Sequence, residues 1–412
     1  MLCETWPEQT SKLRHLATGE WQKLLHWLDT SGLALYFLDR VIELQLCDIL
    51  PLAVLARLQQ NLVDNTERIL DMVAKSTRIQ RKFQETGLSY AMLKGFSLWP
   101  NSVPKLELRS QLDLDFLVAE RSLPEARRIL EEMGYCVCAI SGRSWEFKTN
   151  HIARGSIEDL YKALPLRTVE LHVEFSVHGG SPLLERVERR QFDGISVPML
   201  SPVDLFLGQG THLYKHVCSE FSRTAHLLEF QRHVLIRRED NAFWTELQST
   251  AAGDPRSILA LGVATSLITR VMGDFAPEGL TTWTVRNMPS SARLWVEMYG
   301  VRAALGTFPG SKLYLLLERE LETSGIPAKR SLRQALLPWK FPPLISPAPA
   351  DETLKVRIHR YRMQSHFVLF RIRFHIAEGV RYLCESFRWR HRVKGLTTDR
   401  KAQPIYSDTH AV

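Results

Sequence analysis

Apolar positions along the chain change period as it proceeds. Trp21 to Leu28 is apolar at helical spacing, and Pro51 to Glu85 is a long periodic stretch that opens on a proline and stops at Thr86-Gly87. From residue 88 to about 200 the pattern shortens to period two. Strands are predicted to Leu93, from Leu112 to Val118, from Tyr135 to Ile140 and from Thr168 to Phe175. Between the second and third, Ser122 with Glu125 three residues on reads as a capping box, and Gly134 ends that helix. Ser201-Pro202-Val203-Asp204 opens another helix, and the pattern stays helical to about Leu336. Pro338, Pro342, Pro343, Pro347 and Pro349 make a joint before a final segment. The chain therefore divides into an N-terminal helical region (1–87), a core (88–200), a helical domain (201–337), a linker (338–350) and a tail (351–412). The predicted class is α+β, a small mixed sheet flanked by N-terminal and C-terminal helical regions.

Two carboxylates interrupt the second strand. Side chains alternate faces along a strand, so Leu112, Leu114 and Phe116 point to the core while Asp113 and Asp115 share the opposite face. Carboxylates one strand-step apart repel each other and gain nothing on folding without a cation between them. Mg²⁺, which takes one or two carboxylates plus substrate phosphates, is the matching ion. The bland counterpart is an Asp-x-Asp on the solvated face of an edge strand, and neighbouring segments bear on the choice. Tyr90 to Leu93 runs into Lys94-Gly95-Phe96-Ser97, where a glycine at a strand-to-helix turn lets backbone approach a phosphate. In Val169 to Phe175, Glu170, His172 and Glu174 form the polar face, and Glu170 is the third carboxylate a two-metal phosphoryl-transfer site needs.

Together these segments resemble the nucleotidyltransferase superfamily with the polymerase-β-type core, and more closely a largely uncharacterised bacterial nucleotidyltransferase family. The motifs that carry the resemblance are Leu93-Lys94-Gly95, Leu108-Arg109 through Val118, Gly134-Tyr135 and Glu170-Leu171-His172, with Ser201 to Leu205 and His212-Leu213-Tyr214-Lys215-His216 further on. They span about residues 85 to 235. One departure is Phe96, where the superfamily has Gly or Ser, with Ser97 one residue late. The resemblance implies a Mg²⁺-dependent enzyme that moves a nucleoside monophosphate from an NTP to a hydroxyl or phosphate acceptor, with ATP among the candidate donors. In that reading Asp113, Asp115 and Glu170 are catalytic and hold the metal, while Lys94, Gly95, Ser97, Arg109 and His172 bind the nucleotide. The acceptor, whether small molecule, peptide or tRNA, is not written in the motifs. The alternative is a binding or scaffolding protein on the same fold with catalysis lost, against which the intact carboxylate trio argues.

Several of these residues carry duller readings. Lys94 suits either a solvated strand end or a triphosphate contact, and Arg109 suits either neutralising the carboxylates or gripping a phosphate. Glu174, one step farther out, reads as solvated. His212 and His216 lie on one helix face, where ordinary hydrogen bonding competes with a substrate contact or, less readily, metal ligation.

Composition narrows the setting. The 412 residues, 45% hydrophobic and 24% charged, are ordinary for a globular protein of two or three domains. No apolar run reaches the roughly 18 residues of a membrane span, and Met1 to Thr5 shows no signal peptide. The six cysteines lack paired metal spacing, and Cys136 and Cys138 read as buried reduced thiols in a cytoplasmic protein. Charge is uneven. Residues 351–401 hold thirteen Lys and Arg against five acids, a net of +8 that equals the whole-chain +8. Leu369, Ile372, Ile376, Val380, Leu383 and Phe387 recur there at spacings of three and four. Either this stripe packs on the protein with a solvated basic rim, or it docks on an anionic membrane or nucleic acid.

Overall fold

The computed structural model describes residues 8–149, 160–162, 168–174, 182–219, 223–306, 310–323, 331–337 and 353–402. Phe175 and the proline-rich joint lie outside them. The N-terminal helices are α1 (Thr18–Ser31), α2 (Ala34–Glu43) and the 34-residue α3 (Leu52–Glu85), which Pro51 opens and Gly87, at φ +66°, closes. Seven strands follow: β1 (Tyr90–Met92), β2 (Asp113–Ala119), β3 (Tyr135–Ser141), β4 (Ser144–Thr149), β5 (Thr168–Glu174), β6 (Glu188–Phe192) and β7 (Ile195–Met199). They form one mixed sheet in the order β3-β4-β5-β2-β1-β7-β6. β2 lies centrally, parallel to β5 and antiparallel to β1.

Alternation decides which side of the sheet each residue serves. Leu114, Phe116 and Val118 of β2 and Val169, Leu171 and Val173 of β5 are buried in one cluster with Met72, Ile79 and Phe83 of α3 and with Ile129 and Leu130 of α4 (Leu123–Glu132). Phe83, Tyr90 and Phe116 meet edge to face there, with centroids 5.1–6.3 Å apart. The polar residues of both strands face the other way. Leu117 joins a smaller cluster with Leu98, Val103, Leu200 and Leu205 on that side. Leu112 corrects the expectation: it precedes the strand and is 49% exposed.

Helix α5 (Pro202–Val217) begins where expected, its Asp204 N–H donating to Ser201 Oγ at 3.2 Å. The capping box at Ser122 does not form. A short 3₁₀ turn (Glu120–Ser122) leads into α4, and Glu125 instead accepts from Arg128. Beyond α5 come α6 (Ala225–Ile236), α7 (Asn241–Ala251), α8 (Pro255–Met272), α9 (Glu278–Thr281), α10 (Ser290–Trp295), α11 (Val301–Leu305), α12 (Tyr314–Thr323) and α13 (Leu332–Leu336). Their core also takes in Trp21, Leu28 and Phe37 of the N-terminal helices, so both ends of the chain bury one continuous apolar interior.

The 49-residue α14 (Leu354–Ala402) corrects the reading of its own stripe. Leu369, Ile372, Ile376, Val380, Leu383 and Phe387 are all exposed. A different face packs: Tyr382 and Trp389 are buried, and Glu378 accepts from Ser311 Oγ at 2.9 Å and from the Lys312 N–H at 3.0 Å. Polar residues on that face hide the contact from a hydrophobic pattern. Cys136 and Cys138 are exposed rather than buried, because β3 is the outer strand of the sheet. No described helix is long and apolar enough to cross a membrane.

Candidate active site

The parallel pairing of β2 with β5 sets Asp115 opposite Glu170 and Leu117 opposite His172. Asp113, Asp115, Glu170 and His172 therefore gather on one face. His172 Nε2 stands 2.9 Å from Asp115 Oδ1 and 3.4 Å from Glu170 Oε2. Lys94, at the end of β1, donates to the same Asp115 Oδ1 at 2.9 Å, and Ser144 Oγ donates to Glu170 Oε2 at 3.4 Å. Asp115 is buried, whereas Glu170 and His172 are half-buried.

Electrostatics separate the two aspartates. Burial alone would raise Asp115, but the hydrogen bond from His172 and the charge of Lys94 hold its carboxyl below the usual range. Asp113 is pushed up, to about 6, by burial and then by the charge of Asp115, which Lys94 and Arg109 only partly offset. The hydrogen bond with His172 holds Glu170 down against burial. Burial opposes charge on His172, yet its bonds to Asp115 and Glu170 leave it above its ordinary value. Asp115 is thus held ionised by the Lys94 ammonium and the His172 imidazole, which meet on one of its oxygens. Ligand atoms of Asp115, Glu170 and His172 all lie within 4.8 Å of one another. Asp113 shares this face two residues along but is not among the three clustered ligand atoms; two hard carboxylates and an imidazole fit a divalent cation such as Mg²⁺.

The turn after β1 differs from its expected role. Gly95 takes φ +69°, and a Cβ there would stand 2.3 Å from Gln111 Nε2. Glycine is required, but its open side is filled by the Gln111 amide, which donates to the Asp113 carbonyl at 2.7 Å. Ser97 is 1% exposed with its Oγ enclosed, so the side chain forms part of the wall behind the turn. Lys94 and Arg109 do reach open space: both line a cavity of about 470 Å³ together with Gln209, His212, His226 and Glu229, a size suited to a small ligand. Arg109 Nε donates to Glu229 Oε1 at 3.1 Å rather than to a site carboxylate. Glu174 is engaged rather than solvated, accepting from the backbone N–H groups of Leu183 and Leu184.

Three contributors escape a sequence reading. Gln111 stands four residues before Asp115 and was readable only as a strand lead-in. Glu229 and His226 lie on α6, more than a hundred residues from β2, and no local pattern marks them. His226 stands against His212 and His216 of α5, with ring centroids 4.4–5.1 Å apart.

A solved structure described as an antigenic nucleotidyltransferase-like protein from Paracoccidioides brasiliensis is 13% identical, with a TM-score of 0.30 over 53% of this chain and 98% of that one. Among curated proteins, none matches the chain. The sequence from residue 17 to 268, more than half of the 412, matches the family described as uncharacterised nucleotidyltransferases, and the chain belongs to that family.

Proposed function

We propose that the protein is a Mg²⁺-dependent nucleotidyltransferase whose reaction centre is the Asp113–Asp115–Glu170 face. The observation that carries this reading is the β2–β5 register, which brings a third carboxylate beside an Asp-x-Asp pair. An acceptor oxygen attacks the α-phosphorus of an NTP, the new O–P bond forms, the bond to the bridging oxygen breaks and pyrophosphate leaves; a hydroxyl acceptor releases its proton to solvent water. The divalent ion, held by Asp113, Asp115 and Glu170, would neutralise charge on the triphosphate. Lys94, already 2.9 Å from Asp115, is placed to turn from that carboxylate to a phosphate oxygen. His172 bridges Asp115 and Glu170 and fixes their orientation. Glu170, held below the ordinary carboxylate range, suits metal ligation better than proton abstraction. Gly95 and Gln111 set the backbone of the turn and of Asp113.

The test is incubation of the full chain with each labelled NTP and Mg²⁺ across sugar, sugar-phosphate, peptide, protein and tRNA acceptors, following pyrophosphate release. Activity that needs Mg²⁺ and disappears in Asp115→Asn supports the reading. Turnover in Asp115→Asn equal to the parent refutes it. The exposed stripe of α14 with its arginines supports a second, separable role, docking on an anionic surface.

A further inference from the structure

The side chains of His212, His216 and His226 converge between α5 and α6, and His212 and His226 share a cavity wall with Lys94 and Arg109. His212 and His216 are one helical turn apart on the same face, the i,i+4 spacing by which a helix offers two imidazoles to one ion. α6 supplies the third from across the contact, and one ligand nitrogen from each ring lies within 4.8 Å of the other two. His226 is 8% exposed, and its Nδ1 is buried with no hydrogen-bond partner among the described residues. A buried imidazole nitrogen left without a partner is costly and calls for a ligand. His212 and His226 also line the cavity, so the cluster is open on one side.

We propose that His212, His216 and His226 form a site for a nitrogen-seeking divalent transition metal of the Zn²⁺ type, distinct from the carboxylate face and open to the cavity. Three imidazoles with a free fourth position are the ligand pattern of zinc sites that bind a water or a substrate. Bonds of about 2.0–2.1 Å in a tetrahedron put ligand nitrogens roughly 3.3 Å apart, so from separations within 4.8 Å the rings need close by no more than about 1.5 Å to complete the site. Burial and the repulsion of the neighbouring rings lower His212 and His226 below the ordinary imidazole value, which favours the neutral, ligating form of both. Lys94, Arg109 and Arg223 add positive charge around the cluster, Asp115 offsets part of it at His212, and Glu229 pairs with Arg109. Attraction therefore comes from imidazole nitrogen rather than from net charge, which selects Zn²⁺, Co²⁺, Ni²⁺ or Cu²⁺ over Mg²⁺. A metal here would face the cavity with an open coordination position beside the nucleotidyl-transfer centre.

The experiment uses the full chain, stripped with a chelator and titrated with Co²⁺ and Zn²⁺ in the presence of excess Mg²⁺. The expected result is one tightly held equivalent, with the visible absorption of tetrahedral or five-coordinate Co²⁺ and displacement by Zn²⁺. That equivalent survives Asp115→Asn, whereas His226→Gln and, separately, the more exposed His212→Gln weaken it by at least ~10–100-fold, the loss seen even for outer-shell changes. His212→Gln keeps the test decisive if the buried His226→Gln variant fails to fold, and circular dichroism checks both. Substoichiometric uptake overturns the proposal. So does uptake unchanged in His212→Gln, or uptake abolished by Asp115→Asn, which would put the metal at Asp115, Glu170 and His172 instead. No arm depends on NTP turnover, so its failure and that of the proposed activity are read separately.

Discussion

Arg109 and Glu229 make a buried ion pair between the lead-in to the acidic strand and α6, and breaking it is the most quantitative perturbation the fold offers. The side chains are 15% and 3% exposed. Glu229 Oε1 also accepts from Tyr36 of α2 at 3.1 Å, and Arg109 Nη1 donates to Gln111 Oε1 at 3.3 Å. Three regions of the chain thus meet at one carboxylate. Removing one member of a buried pair strands the other, which costs about 3–5 kcal/mol, whereas replacing both by apolar groups of similar volume is near neutral or better. Arg109→Met leaves Glu229 accepting from the neutral Tyr36 hydroxyl and belongs in the upper part of that range. Glu229→Gln preserves an acceptor for Tyr36 and leaves the more exposed cation, so a loss of about 2–3 kcal/mol is expected. Arg109→Met with Glu229→Gln removes both charges and should recover most of the loss, giving a coupling energy of at least about 2 kcal/mol. Urea unfolding followed by tryptophan fluorescence and far-ultraviolet circular dichroism measures all four proteins, provided the two signals coincide and the slopes match. A loss below about 1 kcal/mol in Arg109→Met, or a double variant as unstable as the sum of the singles, would show that water or mobility already compensates the pair.

Three further outcomes follow from separate features. Gly95→Ala must hold alanine at φ +69°, worth roughly 1–2 kcal/mol, and must expel the Gln111 amide; Gln111→Ala in the same chain should return only the clash, so a full rescue in thermal melts contradicts the assigned backbone strain. Asp113 is raised to about 6 from 3.8, so the folded metal-free protein holds this proton more tightly than the unfolded chain and loses stability as pH rises through that interval; Asp113→Asn should flatten this fall, and equal pH profiles of melting for both proteins would exclude the raised carboxyl. On α14, Tyr382→Ala should cost ~3 kcal/mol through lost packing, while Ile376→Asp with Val380→Asp should leave melting nearly unchanged and abolish salt-sensitive binding to anionic liposomes or RNA. Unfolding caused by the aspartates would show that the exposed stripe is covered in the native protein.

Much of the acidic face was legible because strand alternation is a local property. Val169, Leu171 and Val173 declared one face of β5 and Glu170 and His172 the other, and β2 behaved likewise from Asp113 onward. The register that places Glu170 beside Asp115 depends on strand pairing, which no local pattern specifies. The β6–β7 hairpin carried a readable mark in Asp193-Gly194, both at positive φ (46° and 74°), the pair favoured in tight hairpin turns. Its first strand, Glu188-Arg189-Arg190-Gln191-Phe192, is an outer strand with little apolar alternation and so gives no periodic signal. The tail misled for the opposite reason. Its regular apolar stripe faces out, while α14 docks through Glu378, Tyr382 and Trp389, whose partners Ser311, Lys312 and Glu320 are distant in sequence. Arg109 and Lys94 were recognised as cations near the site, but their partners required the fold.

The central claim is that Asp113, Asp115 and Glu170 hold a divalent ion with a nucleoside triphosphate. Mn²⁺, a paramagnetic substitute for Mg²⁺, tests it directly by electron paramagnetic resonance. Free Mn²⁺ is titrated with the full chain, with Zn²⁺ present to fill nitrogen sites, with and without a non-hydrolysable NTP analogue. The account predicts Mn²⁺ uptake that tightens with the analogue and is lost in Asp113→Asn, Asp115→Asn and Glu170→Gln while each variant keeps its parent circular dichroism. Uptake unchanged in all three folded variants would contradict it.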